Sequence, residues 1–173
     1  MIHCMLDLET LGSRVGSVVL SVGAVCFDPA ARAVTATFDM NMSETFQRNA
    51  GLEINPDTVA WWEKQSPLAF DAARRNPSEP MTVLRAFNQW YINSGAEKIW
   101  GNGAGFDQPL LRAVYEAFGI KPAWHYRDEL CFRTLKALCP NVPPPIENAL
   151  KHSALADARF QAAWAIDMME TLR

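Results

Sequence analysis

The run Ile2-His3-Cys4-Met5-Leu6-Asp7-Leu8-Glu9-Thr10 is apolar except for acids at two alternate positions. Such a run reads as a buried strand, and the two-residue repeat of a strand puts Asp7 and Glu9 on the same side. Two glycines between Thr10 and Gly16 mark a turn. Ser17 to Phe27, rich in Val, Leu and small residues, predicts a second buried strand. Asp28-Pro29 turns the chain again, and Ala33 to Met40 alternates as a third strand. Short links between the three predict an antiparallel meander. The period then changes. Asn55-Pro56-Asp57 is a helix start with Asn55 as cap and Pro56 at the first helical position, and this helix runs through Trp61 and Trp62. Ser66-Pro67 starts another, ending near Asn76-Pro77, and Ser78 caps a third that Gly95 stops.

Lys98 to Gly101 predicts a short strand, and the glycine-rich turn Gly101 to Gly105 leads into a helix from Gln108 to Phe118. A brief strand around Ala123 to Tyr126 and a helix from Asp128 to Leu138 follow. Pro140 to Pro145 is a stiff loop, being unsuited to a helix or a central strand. A last helix starts near Ser153 and runs almost to the end. Three strands followed by alternating helix and strand predict an α/β fold with a mixed central sheet covered by helices on both faces, its first strand central.

With 173 residues the chain has the length of a single domain, 1–173, able to bury most of its apolar surface. Its apolar content of 49% is that of an ordinary globular protein. No apolar run approaches the ~18 residues that span a bilayer, and no basic segment with an apolar core opens the chain, so an intracellular, cytoplasmic protein without a membrane partner is expected. Cys4, Cys26, Cys131 and Cys139 form no C-x-x-C pair and have no histidines at zinc spacing, which predicts reduced thiols rather than disulfides or a zinc site. A net charge of −3 argues against a broad basic surface for long duplex, while leaving room to grip a few nucleotides at one end.

Carboxylates sharing one strand face resist joint ionisation unless a cation lies between them, and hard oxygen ligands suit Mg2+ or Mn2+. An exposed edge strand with two solvated acids is the alternative for Asp7 and Glu9 alone. Asp107, at the head of a helix after the glycine-rich turn, reads by itself as an N-cap. Asp157, in the first turn of the last helix, reads by itself as an acid complementing the helix dipole. His152 would stand about 140° from Asp157 on a continuous helix. If Ser153 caps that helix, His152 lies just outside it and Asp157 just inside.

Taken in order, Asp7-x-Glu9, Asn102-x-x-x-Phe106-Asp107 and His152-x-x-x-x-Asp157 resemble the three motifs of the DEDDh family, the DnaQ-like or RNase T-like 3'-5' exonucleases. Leu6-Asp7-Leu8-Glu9-Thr10-Leu11-Gly12, Asn55-Pro56-Asp57-Thr58 before Trp61-Trp62, and His152-x-Ala154-Leu155-x-Asp157-Ala158-x-x-Gln161-Ala162 resemble its compact phage and bacterial branch, similar to exodeoxyribonuclease VIII. The resemblance implies an RNase H-like fold and two divalent ions, Mg2+ or Mn2+, held by Asp7, Glu9, Asp107 and Asp157. It implies hydrolysis of single-stranded RNA or DNA from the 3' end to nucleoside 5'-monophosphates, with His152 as general base. A free imidazole's pKa near 6.5 suits that role. Leu8 and Thr10 would contact the terminal nucleotide and Asn102 would adjoin it. Phe106 is a candidate to stack on its base, as is whichever of Trp61 and Trp62 does not face the core. Arg133 and Thr134 are candidates to meet a phosphate or simply surface residues. His3 and His125 lack such context and are expected to be structural or exposed. Many relatives are homodimers, so a homodimer is among the assemblies implied.

Three other readings compete. Gly101-x-Gly103-x-Gly105 hints at a dinucleotide site, but the third glycine of G-x-G-x-x-G is Phe106 here, and Asp7 and Glu9 would go unexplained. A catalytically idle binding module on the same fold would be expected to lose a metal ligand, and none is lost. An RNase H-type endonuclease is disfavoured by the histidine five residues before the last aspartate.

Overall fold

The computed structural model describes residues 1–146 and 152–172. Five strands, β1 (Ile2–Thr10), β2 (Val19–Asp28), β3 (Ala33–Asn41), β4 (Ala96–Gly101) and β5 (Glu129–Cys131), form one sheet in the order β3-β2-β1-β4-β5. β1 pairs antiparallel with β2, which pairs antiparallel with β3, whereas β4 runs parallel to both β1 and β5. The mixed sheet with β1 at its centre is the expected one. Seven α-helices among the described residues complete the fold: α1 (Glu44–Asn49), α2 (Pro56–Trp62), α3 (Pro67–Arg74), α4 (Pro80–Asn93), α5 (Asp107–Ala117), α6 (Phe132–Leu138) and α7 (Ala154–Thr171).

Alternation along β1 builds two cores. Cys4, Leu6 and Leu8 point to the face covered by α2, α4 and α5, where Trp62, Phe87, Leu110 and Tyr115 are buried. Met5 points to the other face, under α6 and α7, with Phe27, Trp100, Phe132 and Ala162. Asp7 and Glu9 share the phase of Met5, so they point toward α7. That helix buries Ala154, Ala158, Ala162 and Ala165, small residues that let it lie close on the sheet. At Gly23 of β2, paired with Asp7, contact is closer still: a Cβ there would stand 2.1 Å from Leu155 N.

Several boundaries differ from expectation for identifiable reasons. No strand forms at 123–126, where Trp124 is buried in the first core. A 3-10 turn, Tyr126–Asp128, follows, and β5 occupies residues expected to be helical, so α6 starts only at Phe132. Pairing of Ile99 with Glu129 and of Trp100 with Leu130 decides this, a tertiary contact with no local pattern. Glu79 rather than Ser78 holds the cap position of α4, because the residue before Pro80 is kept extended (ψ 139°) and the helix starts at the proline. No element was expected where α1 lies. Its single buried residue is Gln47, whose amide accepts from Val19 N (2.9 Å) and donates to Val19 O (2.6 Å), replacing an apolar anchor by a polar one. Asn55 caps α2 as expected, its side chain accepting from Asp57 N at 2.8 Å.

Candidate active site

Asp7 and Glu9 at the end of β1 meet Asp157 from the first turn of α7, with one carboxylate oxygen of each lying within 4.8 Å of the others. Three acids from two elements converge because β1 presents alternate residues to one face and α7 is set down on that face over Gly23. Burial is the main cause that raises Asp7 well above the ordinary carboxylate range, followed by the charges of Asp107, Glu9 and Asp157. Glu9 is pushed up to about 8, by burial first and then by Asp157 and Asp107. Hard oxygen donors that repel one another in a partly buried cleft fit a divalent cation, which removes both penalties.

Asp107 lies beside this trio rather than in it. Phe106 holds the cap position of α5 and Asp107 is its first residue, only 1% exposed. It does not act as the expected N-cap. Its Oδ2 accepts from Asn102 N at 2.6 Å, closing the glycine-rich turn back on itself. Burial raises it to about 6, against the backbone N–H groups of Asn102 and Leu8 and the Arg133 guanidinium, which favour the anion. The Leu8 contact ties Asp107 to the segment of β1 between Asp7 and Glu9.

His152 stands immediately before Ser153, which holds the α7 cap position without a capping side-chain bond. Its φ of +63° is left-handed, a conformation that histidine tolerates better than most residues. The ring lies edge-on to Trp61, with centroids 5.1 Å apart, and 6.1 Å from Trp62. The Pro140 to Pro145 loop that leads toward it has no regular structure, as expected, and residues 147–151 of the approach lie outside the described residues.

The two tryptophans divide their work. Trp62 is 2% exposed, stacks on Phe70 and donates its Nε1–H to Thr10 O at 2.9 Å, fastening α2 to the end of β1. Trp61 is 41% exposed and is the one that faces the groove. Both border a cavity of about 580 Å3 whose walls also include Leu8, Thr10, Phe106 and His152, with Asp7, Glu9 and Asp157 at its base. A second cavity, about 270 Å3 with Asp39, Asn41 and Arg75 in its wall, meets the first at Glu9 and His152.

Asn102 lies outside the cavity lining, its Oδ1 accepting from Arg133 Nε at 3.4 Å. Arg133 and Thr134 are both exposed. His3 is buried and accepts from Trp100 Nε1 at 2.9 Å, which makes it structural, while His125 is exposed, its Nδ1 accepting from Arg127 N. Asp57 and Thr58 were quoted within a motif, and Asp57 also as part of a helix start, without a role at the site, yet they line the cavity. Their spacing of three and four residues from Trp61 was the available signal. Gln161 was quoted within a motif without a role, although it lies one turn after Asp157, and its Nε2 donates to Asp7 Oδ1 at 2.7 Å.

A family model described as the 3'-5' exoribonuclease Rv2179c-like domain matches residues 2–169. The exodeoxyribonuclease of Enterobacteria phage T4 is 28% identical over 125 residues, 64% of this chain and 54% of the phage protein, so the chain spans about half the length of that relative. Among solved structures, the nuclease domain of 3'hExo, a DEDDh family member bound to rAMP, superposes with a TM-score of 0.67 at 12% identity, over 98% of this chain and 92% of that one. The zinc-bound complex of E. coli ExoI with single-stranded DNA gives 0.72 at 16%, over 98% of this chain and 40% of that one. These likenesses show the RNase H-like fold.

Proposed function

The chain belongs to the Rv2179c-like 3'-5' exoribonuclease domain family, within the DEDDh exonucleases, and from that premise we propose that it removes nucleotides one at a time from the 3' end of single-stranded nucleic acid. The observation that carries this reading is the convergence of Asp7, Glu9 and Asp157 at the base of a cavity walled by Trp61, Phe106 and His152. Such a cavity has room for one terminal nucleotide and places an aromatic surface beside a cluster of acids. RNA is the first substrate to try, in keeping with the family's description, although the phage relative is named for DNA.

A pair of divalent ions, when bound, supplies neutralisation of the phosphate charge and a more acidic water. Asp7, Glu9, Asp157 and the neighbouring Asp107 would hold them. His152 takes the proton of the attacking water. The new bond joins that oxygen to phosphorus, the bond from phosphorus to the 3'-oxygen of the preceding nucleotide breaks, and that oxygen leaves carrying the chain's new 3' end. The product is a nucleoside 5'-monophosphate. Trp61 and Phe106 offer their faces to the terminal base, a contact indifferent to sequence, while Leu8 and Thr10 frame the sugar. A net charge of −3 leaves no excess of basic charge for gripping a long duplex, which supports recognition at the terminus.

Matched 5'-labelled RNA and DNA oligonucleotides, incubated with Mn2+, Mg2+ or chelator and resolved on a sequencing gel, test the proposal. A metal-dependent ladder shortening from the 3' end is expected, and it should be absent for Asp157→Asn. A ladder from the 5' end, internal cuts, or no cleavage by the folded protein would overturn it.

A further inference from the structure

α7 carries Gln161 one turn beyond Asp157, so both side chains face β1. Gln161 is 5% exposed. One half of its amide is used, since Nε2 donates to Asp7 Oδ1 at 2.7 Å. The other half is not: Oε1 is buried and has no hydrogen-bond partner among the described residues. A glutamine serving only to pack α7 on the sheet would have both ends satisfied, as Gln47 does with the N–H and carbonyl of Val19. Gln161 is fixed at one end to a candidate metal ligand and left with a spare acceptor at the other.

We propose that Gln161 is a positioning residue for the cation site, holding one oxygen of Asp7 so that the other is aimed at the ion, and offering Oε1 to the water that a divalent ion brings with it. The inference rests on the cation-binding reading of the acidic trio. Residue type matters here. A glutamate in place of Gln161 would add a further anion beside Asp7, and an aliphatic residue would leave Asp7 free to rotate. The amide holds the carboxylate by donation without adding charge.

The full chain and its Gln161→Met variant, of similar volume and without hydrogen-bonding capacity, are titrated with Mn2+ while free ion is followed by electron paramagnetic resonance. Melting in chelator and kcat and KM on a labelled oligonucleotide accompany the titration. Loss of such a supporting contact costs roughly 10- to 100-fold in metal affinity, so the variant should need that much more Mn2+ for half-saturation. Its kcat should recover at saturating Mn2+, and its KM for the oligonucleotide should stay within twofold. Wild-type protein that binds Mn2+ alongside a variant with unchanged affinity overturns the role of Gln161 alone. Wild-type protein that binds no Mn2+ overturns the reading of the site itself. If Gln161→Met fails to fold, Gln161→Asn, whose amide stops one methylene short of Asp7, is read by the same criteria.

Discussion

Gly23 carries no chemistry, yet its replacement by alanine should disable the site. A Cβ on Gly23 would lie 2.1 Å from Leu155 N, 2.2 Å from Ala154 C and 2.6 Å from Ala154 O, all of them backbone atoms that no rotamer change can move. Ordinary contact begins at 3.4 Å, so the first turn of α7 has to lift by about 1.3 Å (3.4 less 2.1 Å). That turn carries Asp157 and follows directly on His152, while Asp7, opposite Gly23, stays with the sheet. The acids would therefore separate from one another, and the imidazole from the acids. A misplacement near 1 Å costs about 100-fold in rate. Overpacking of this kind costs ~1–3 kcal/mol of stability, a fall of about 2–4 °C in Tm per kcal/mol for a chain of this size. The assay is single-turnover cleavage of a labelled oligonucleotide at saturating Mn2+, with Tm measured in chelator. A large loss of rate with a modest loss of Tm is expected. Gly23→Ala protein that cleaves within twofold of wild type would refute the idea that close approach of α7 assembles the site.

His152→Asn tests the base separately from the backbone, because asparagine also tolerates a φ of +63°. It should fold with unchanged Tm and lose roughly 100- to 10,000-fold in kcat, and a defect confined to KM would contradict the role. Trp61→Ala should leave Tm nearly unchanged, since Trp61 is 41% exposed. Loss of one stacking contact should raise KM roughly 5- to 150-fold, the equivalent of ~1–3 kcal/mol, and unchanged KM on a short oligonucleotide would remove Trp61 from the binding surface. In chelator, stability should fall as pH rises from 4.5 to 8, because the fold keeps on Glu9 a proton that the unfolded chain has released above its ordinary pKa of 4.5. The slope is up to about 1.4 kcal/mol per pH unit for each such proton. Saturating Mn2+ should flatten that slope, and a flat profile in chelator would contradict the burial of Glu9 beside Asp157 and Asp107 as the cause of its raised value.

The legible parts of this molecule share a property: each is written in consecutive residues. The β1 alternation announced both the central strand and the shared face of Asp7 and Glu9, and Asn55-Pro56 announced the start of α2 with its cap. His152 and Asp157 were placed on either side of a helix start by Ser153 alone. What was missed depends on contacts between distant residues. β5 exists because β4 offers it a parallel partner, and α1 is anchored by Gln47, a residue that hydrophobic patterning counts as surface. Choosing between Trp61 and Trp62 required knowing which indole N–H could reach Thr10 O, a distance across 52 positions of sequence. Gln161 had a readable position, four residues after Asp157, but its significance lies in one bond to Asp7 and one acceptor left over, and neither is local.

The sheet's mixed direction explains why these particular segments meet. β1 and β4 run parallel and adjacent, so their carboxyl ends open at the same edge. The turn after β4 delivers Asp107 to Leu8, and the turn after β1 is pinned by Trp62 beneath the cavity. Ligands of open α/β sheets lie outside the carboxyl ends of strands for this reason: loops from neighbouring strands converge there without crossing. α7 then arrives with its N-terminus, the positive end of its dipole, toward the acids. Three sources of anion thus face one positive helix end and a space where a cation fits. The energetic conflict among the acids follows from the same topology that brings them together, and a divalent ion resolves it only if β1, the β4 turn and α7 keep their places. Displacing any one of the three should therefore lower metal affinity before it lowers stability, an order of loss that separates a cation site from a cluster of acids that merely share a surface.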